Sequence, residues 1–236
     1  MFRVKLPGSK KIKIALLSIL VIIIIGVLVK QSIDNKKEID RQKKVQEQLK
    51  EEEASETKEK NDQATKAKLD AENKQKSLDE KAENAKEVFF TKDYESAINL
   101  SNEILSEDNN NYKAYAVRGI AKAYTRDYSA AMEDINKSLE IKPDYGYARF
   151  NKGLLYELQG EFTDAIEWYN KDLEIESYVW SYYGIASIYG RKGDVDNTVN
   201  YLTKAIELDA AVKETAKEEH DFDPVRDSEK FSNLIK

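Results

Sequence analysis

Cysteine is missing from the 236 residues, which removes disulfides, thiolate metal sites and cysteine nucleophiles together. The redox compartment is left open by the same absence. Histidine occurs once, as His220 among Glu218, Glu219, Asp221 and Asp223. One imidazole with flexible carboxylates falls short of the convergent ligands a transition-metal site needs, so a solvated acidic turn is the better reading. No histidine–nucleophile pair and no phosphate-cradling glycine loop occur. Residue types therefore point to no enzyme, no metal and no cofactor. The aromatics are unevenly placed: Phe2 alone precedes Phe89, and every Tyr and Trp lies at or beyond Tyr94. A packed domain is expected only in the second part of the chain. The net charge of −6 argues against nucleic acid as a partner.

What is present is a pattern recurring four times between residues 78 and 211, at a spacing of 33 to 34 residues. Its clearest copy reads Gly153, Tyr156, Gly160, Phe162, Ala165, Tyr169. One period earlier stand Gly119, Tyr128, Ala131, Ile135 and a closing Pro143. The first copy reads Ala85, Val88, Tyr94, Ala97, and the fourth Ala186, Tyr189, Gly193, Val195, Thr198, Leu202, Ala205. A fixed period of this length predicts stacked supersecondary units. Small residues in both halves of a unit let two helices approach, and apolar residues at three- and four-residue spacing fill the seam. Gly160 and Gly193 fall where a helix must stop and turn.

These residues resemble the tetratricopeptide repeat family, whose unit carries a G-x2-Y element, an A-x3-F element and a closing proline. The resemblance covers slightly more than half the chain. Ser101 departs from it in the first copy, and Thr198 and Ala210 in the fourth. It implies an all-α, right-handed helical-repeat solenoid of about four units, 78–111, 112–145, 146–178 and 179–211. Residues 212–236 are expected to cap the stack, with Asp227 or Ser228 opening a last short helix.

Ahead of the repeats, residues 1–13 form a basic tail with Arg3, Lys5, Lys10, Lys11 and Lys13 and no acid. Residues 14–29 then run sixteen without a charge. A helix of that length spans about 24 Å, and snorkelling lysines at either end bring it near the roughly 30 Å hydrocarbon core. No small-x-small exit follows, so the expectation is an uncleaved single-pass anchor over 14–30, not a signal peptide. The unopposed basic cluster predicts an N-terminus inside and a bulk that is extracytoplasmic. Residues 31–77 carry no Pro, Gly or aromatic and about half are charged, which predicts a long charged helix or a partly helical spacer. Its reach is about 70 Å if helical, or roughly 35–40 Å as coil. Ile33, Ile39, Val45 and Leu49 are too irregular for a sustained coiled-coil seam.

In the family the first helices of successive repeats line a groove. The resemblance places Tyr124, Tyr147, Phe150, Leu154, Trp180 and Tyr183 on or near it. Aromatics facing a groove anchor peptides, while the bland alternative for each is packing between repeats. Family members that hold a chaperone's terminal carboxylate use Lys, Arg and Asn there. The matching places here carry Ala82, Lys86, Val117, Tyr147 and Asn151, so that clamp is mostly missing. The sequence reads as a membrane-anchored, non-catalytic adaptor that binds a protein or peptide. Two alternatives stay open: an envelope protein that self-associates through 31–77, and a receptor for a small ligand.

Overall fold

The structure is a computed structural model that describes residues 8–236. Of the basic tail, residues 1–7, including Arg3 and Lys5, lie outside the described residues. The chain divides into two compact units, up to residue 71 and from 72 to 236. Every regular element among the described residues is helical.

The first helix, α1, runs Lys10–Phe90, and its earliest buried residue is Leu78. Between residues 31 and 71 it is held by composition: Glu, Lys, Gln and Ala are good helix formers. Exposed pairs such as Arg41–Glu38 at 3.3 Å and Lys60–Glu56 at 3.8 Å add a few tenths of a kcal/mol each. The choice between helix and coil for residues 31–77 thus resolves as continuous helix.

In the second unit the end of α1 packs with α2 (Tyr94–Glu107), and three further hairpins follow. They are α3 (Tyr112–Tyr124) with α4 (Tyr128–Ile141), α5 (Gly146–Leu158) with α6 (Phe162–Leu173), and α7 (Val179–Arg191) with α8 (Val195–Leu208). Each hairpin turns at a left-handed residue: Lys92, Arg126, Gly160 and Gly193, with φ between 65° and 79°. The spacing of these corners repeats the sequence period. Glycine meets the requirement twice; Lys92 and Arg126 meet it at a steric cost. An aspartate then caps the second helix in three of the four units, accepting from Ser96 N, Ala130 N and Asn197 N through Asp93, Asp127 and Asp194.

The seams are closed by very small residues. Ala97, Ala131, Ala165 and Ala205 are fully buried. The two polar departures, Ser101 and Thr198, are buried as well, and each hydroxyl donates back to the carbonyl four residues earlier. Tyr169 sits between two glycines: a methyl group on Gly153 would lie 2.6 Å from one side of its ring, and one on Gly184 2.7 Å from the other. Both positions need glycine for that close approach. After α8, a short helix α9 (Val212–Glu218), a 3-10 segment (His220–Val225) and α10 (Glu229–Leu234) fold back. Phe222, Val225 and Phe231 are buried against α7 and α8, and Ser228, not Asp227, caps α10 by accepting from Phe231 N.

Candidate functional site

All six residues singled out in the sequence line one open groove of about 660 Å³ in the second unit. Their environments differ. Tyr124 and Trp180 are 40% and 38% exposed. Tyr124 stacks on Tyr94 at 5.0 Å and meets Phe89 edge-on at 5.4 Å. Trp180 meets the edge of Tyr183 at 5.5 Å. Phe150 packs on Tyr169 and Tyr178 at 5.6 and 5.1 Å, so it serves the inter-repeat seam as well as the groove. Tyr183 is only 8% exposed and contacts Phe222 of the C-terminal segment. Leu154 and Tyr147 are half-buried. For Phe150 and Tyr183 the packing alternative therefore holds alongside the groove position.

Two phenols in this wall are incomplete. The hydroxyls of Tyr147 and Tyr183 are buried; that of Tyr183 has no hydrogen-bond partner among the described residues, and that of Tyr147 has only the Asn151 side chain near it. Burial pushes both well above the ordinary phenol range, and for Tyr183 the nearby Glu219, Asp221 and Glu157 push it further. Neither ionises at physiological pH.

The sequence reading missed the polar floor. Glu157, from the last turn of α5, is almost buried, and its Oε2 accepts a 2.6 Å hydrogen bond from the Tyr169 hydroxyl. Arg191, at the end of α7, reaches Glu157 at 3.5 Å and Asp221 of the 3-10 segment at 2.7 Å. Ser187 donates to the same Asp221 carboxylate. Burial holds the Glu157 carboxyl above its usual range; the Tyr169 hydrogen bond and Arg191 offset this only in part. One signal was available: Phe90, Tyr124, Leu158 and Arg191 stand 34, 34 and 33 residues apart, and all four line the groove. The role of Asp221 had no periodic signature, because it follows the repeats.

A second buried carboxylate lies at the α6–α7 junction. Asp172 accepts a 2.6 Å bond from Ser181 through Oδ2, while Oδ1 has no hydrogen-bond partner among the described residues. Burial, with Glu176 nearby, raises it to about 6 against the pull of Ser181 and Arg149. His220 is exposed and meets only Asp223, at 3.1 Å. Among the described residues no group of three or more metal-ligating side chains converges.

Three segments, 112–145, 147–177 and 181–212, match the family model of the tetratricopeptide repeat. No curated protein matches the chain. Among solved structures, one described as the crystal structure of MamA is 26% identical, with a TM-score of 0.47 over 59% of this chain and 81% of that one. Another, MamA from residue 41 onward of Desulfovibrio magneticus RS-1, is 17% identical, with a TM-score of 0.46 over 60% and 78%. At such TM-scores the likeness says nothing about partner or activity. The repeat period, the helical hairpins and the three matched segments agree: residues 112–145, 147–177 and 181–212 are tetratricopeptide repeats, a helical scaffold for protein interaction.

Proposed function

We propose that this chain is a single-pass membrane-anchored scaffold, without catalytic activity of its own, that binds a protein or peptide in the groove of its repeats. The observation that carries the binding half is that residues from four successive first helices, Phe90, Tyr124, Phe150 and Trp180 among them, line one continuous groove. One extended ligand can touch them all, which is how helical-repeat grooves gain affinity from separate weak anchors. The anchor half rests on residues 14–29. The most apolar stretch of α1 has a mean hydropathy of 3.1 and none of it is buried, and bare Ile, Leu and Val on every face of a helix need a nonaqueous surrounding. The orientation we propose keeps the basic tail in the cytoplasm and the repeats outside it.

The test has two arms on the full-length protein. It should resist carbonate extraction, and Ile22→Lys with Ile24→Lys should release it, at about 3 kcal/mol per charge near the bilayer centre. Repeats digested by protease added outside cells would support the orientation; repeats protected until the membrane opens would reverse it. For the groove, Trp180→Ala and Tyr124→Ala are better probes than Phe150→Ala, because Phe150 also packs the seam. Partners crosslinked in cells and then identified should bind each variant about 2 kcal/mol more weakly with an unchanged melt. Undiminished binding by both would move the interface elsewhere.

A further inference from the structure

The polar floor has a sign. Lining the groove are three carboxylates, Glu157, Glu219 and Asp221, against two cations, Lys92 and Arg191, a net charge of −1. Around Glu157 the imbalance is the same: one Arg191 guanidinium is shared between Glu157 and Asp221, with its shorter contact to Asp221. The Glu157 carboxylate has the Tyr169 hydroxyl at hydrogen-bond distance on Oε2, a long 3.5 Å ionic contact on Oε1 and the Ser187 hydroxyl within reach. Tyr183 lines the same groove and feels the Glu157 charge; it is 8% exposed, and its buried hydroxyl has no partner among the described residues. Tyr124 is close enough for the Glu157 charge to act on its phenol. A nearly buried, partly neutralised carboxylate in a groove lined by aromatic rings is an arrangement that recognises a cation: ring quadrupoles attract it and the carboxylate pairs with it.

We propose, resting on the groove reading above, that the groove takes a peptide segment presenting a lysine or arginine between apolar residues, its cationic head paired with the Glu157 carboxylate. Apolar flanking side chains lie along Tyr124, Phe150 and Trp180. Charge complementarity selects this occupant. An acidic or carboxylate-ended peptide would bring a second negative charge to a floor that already has one in excess. Docking of the cation would also bring the Glu157 carboxyl back down from the raised state that burial gives it. The same chemistry already operates elsewhere in the unit, where Lys152 and Lys171 flank the Trp168 ring at 4.0 and 4.2 Å.

The test selects a random dodecapeptide library on the full-length protein in detergent micelles. The best peptide is then titrated in three versions carrying Lys, Gln or Glu at its basic position. The expected result is enrichment of Lys or Arg flanked by apolar residues, with the Lys version binding about tenfold or more tighter than Gln and the Glu version weakest. Glu157→Gln should bring the Lys version to the level of the Gln version while leaving the Gln version unchanged. Selected peptides without charge preference, still lost on Trp180→Ala, would overturn the cation assignment and leave the groove standing. Enrichment of acidic peptides would overturn it as well. No enrichment of any peptide would overturn the groove reading itself, and the cation assignment with it. The comparison of the three peptides on the unmodified protein decides the matter even where a variant fails to fold.

Discussion

Between residues 10 and 71 helix α1 buries nothing, whereas α7 buries eight of its thirteen residues. The two stretches are helical for different reasons. The charged part of α1 is made of residues that favour helix locally. α7 reads Val-Trp-Ser-Tyr-Tyr-Gly-Ile-Ala-Ser-Ile-Tyr-Gly-Arg, a poor helix former with two glycines inside it. Those glycines are there for its neighbours: Gly184 admits the Tyr169 ring and Gly190 admits Phe222. A helix stabilised by composition tolerates substitution along its length. One stabilised by tertiary burial is sensitive on nearly every face.

The sharpest way to break that comparison is Tyr169→Ala, which empties the space between Gly153 and Gly184 and strips Glu157 of its hydrogen-bond donor. It should destabilise the repeats by about 3–5 kcal/mol in a denaturant titration, while Leu49→Ala, exposed on α1, stays within about 0.5 kcal/mol. Comparable losses from both would mean that α1 has a partner that buries it.

Next comes overpacking. Ala165→Trp at a fully buried seam should cost about 1–3 kcal/mol or more, and Ala67→Trp on the open face of α1 almost nothing. Equal shifts in thermal midpoint would show that the seam is more plastic than its small residues imply.

Of similar or smaller size is a pH effect confined to the repeats. Burial raises the folded-state Asp172 above the unfolded carboxyl, so the folded protein holds that proton more tightly. Its contribution is fully present below about pH 4 and is lost as pH rises through about 6. Asp172→Asn should remove this slope and be more stable than the parent by about 2 kcal/mol at pH 7, with the two converging near pH 4. Parallel stability curves from pH 4 to 7 would show that Asp172 is not held in its neutral form.

The smallest effect sharpens the comparison at the corners. Gly160→Ala forces a Cβ into a left-handed turn and should cost about 1 kcal/mol, whereas Arg126→Gly relieves the same strain and should be neutral or stabilising. Loss from both would show that Arg126 contributes something beyond its backbone angle.

The repeat architecture was legible because a 33 to 34 residue period needs no knowledge of which helix touches which. The family resemblance placed Tyr124, Tyr147, Phe150 and Trp180 on one groove, and Tyr147 and Trp180 stand one period apart on successive first helices. What stayed hidden belongs to single pairings between elements. Glu157 and Arg191 look like solvated charges at helix ends until α5, α7 and the 3-10 segment meet. Asp172 resembles any other acid of an acidic chain, and only the packing of α6 on α7 removes it from water. Continuous helix through residues 31–71 was one of two readings, because composition sets a preference and leaves the degree of order undecided.

Tyr169 belongs to α6, yet its ring is gripped by α5 of its own hairpin and by α7 of the next, and its hydroxyl ties both to Glu157. It does not act alone: the Asp172–Ser181 hydrogen bond, the Glu157–Arg191 contact and Arg191 over the Phe162 ring also join the third unit to the fourth. Opening of either unit frees the other, so amides from α5 through α8 should exchange with solvent as one cooperative block. The second unit meets the third by other means: Gly119 faces Ile135 of its own hairpin, Tyr147 and Leu154 of α5 pack into the second unit's core, and Asn151 donates to the Ala116 carbonyl.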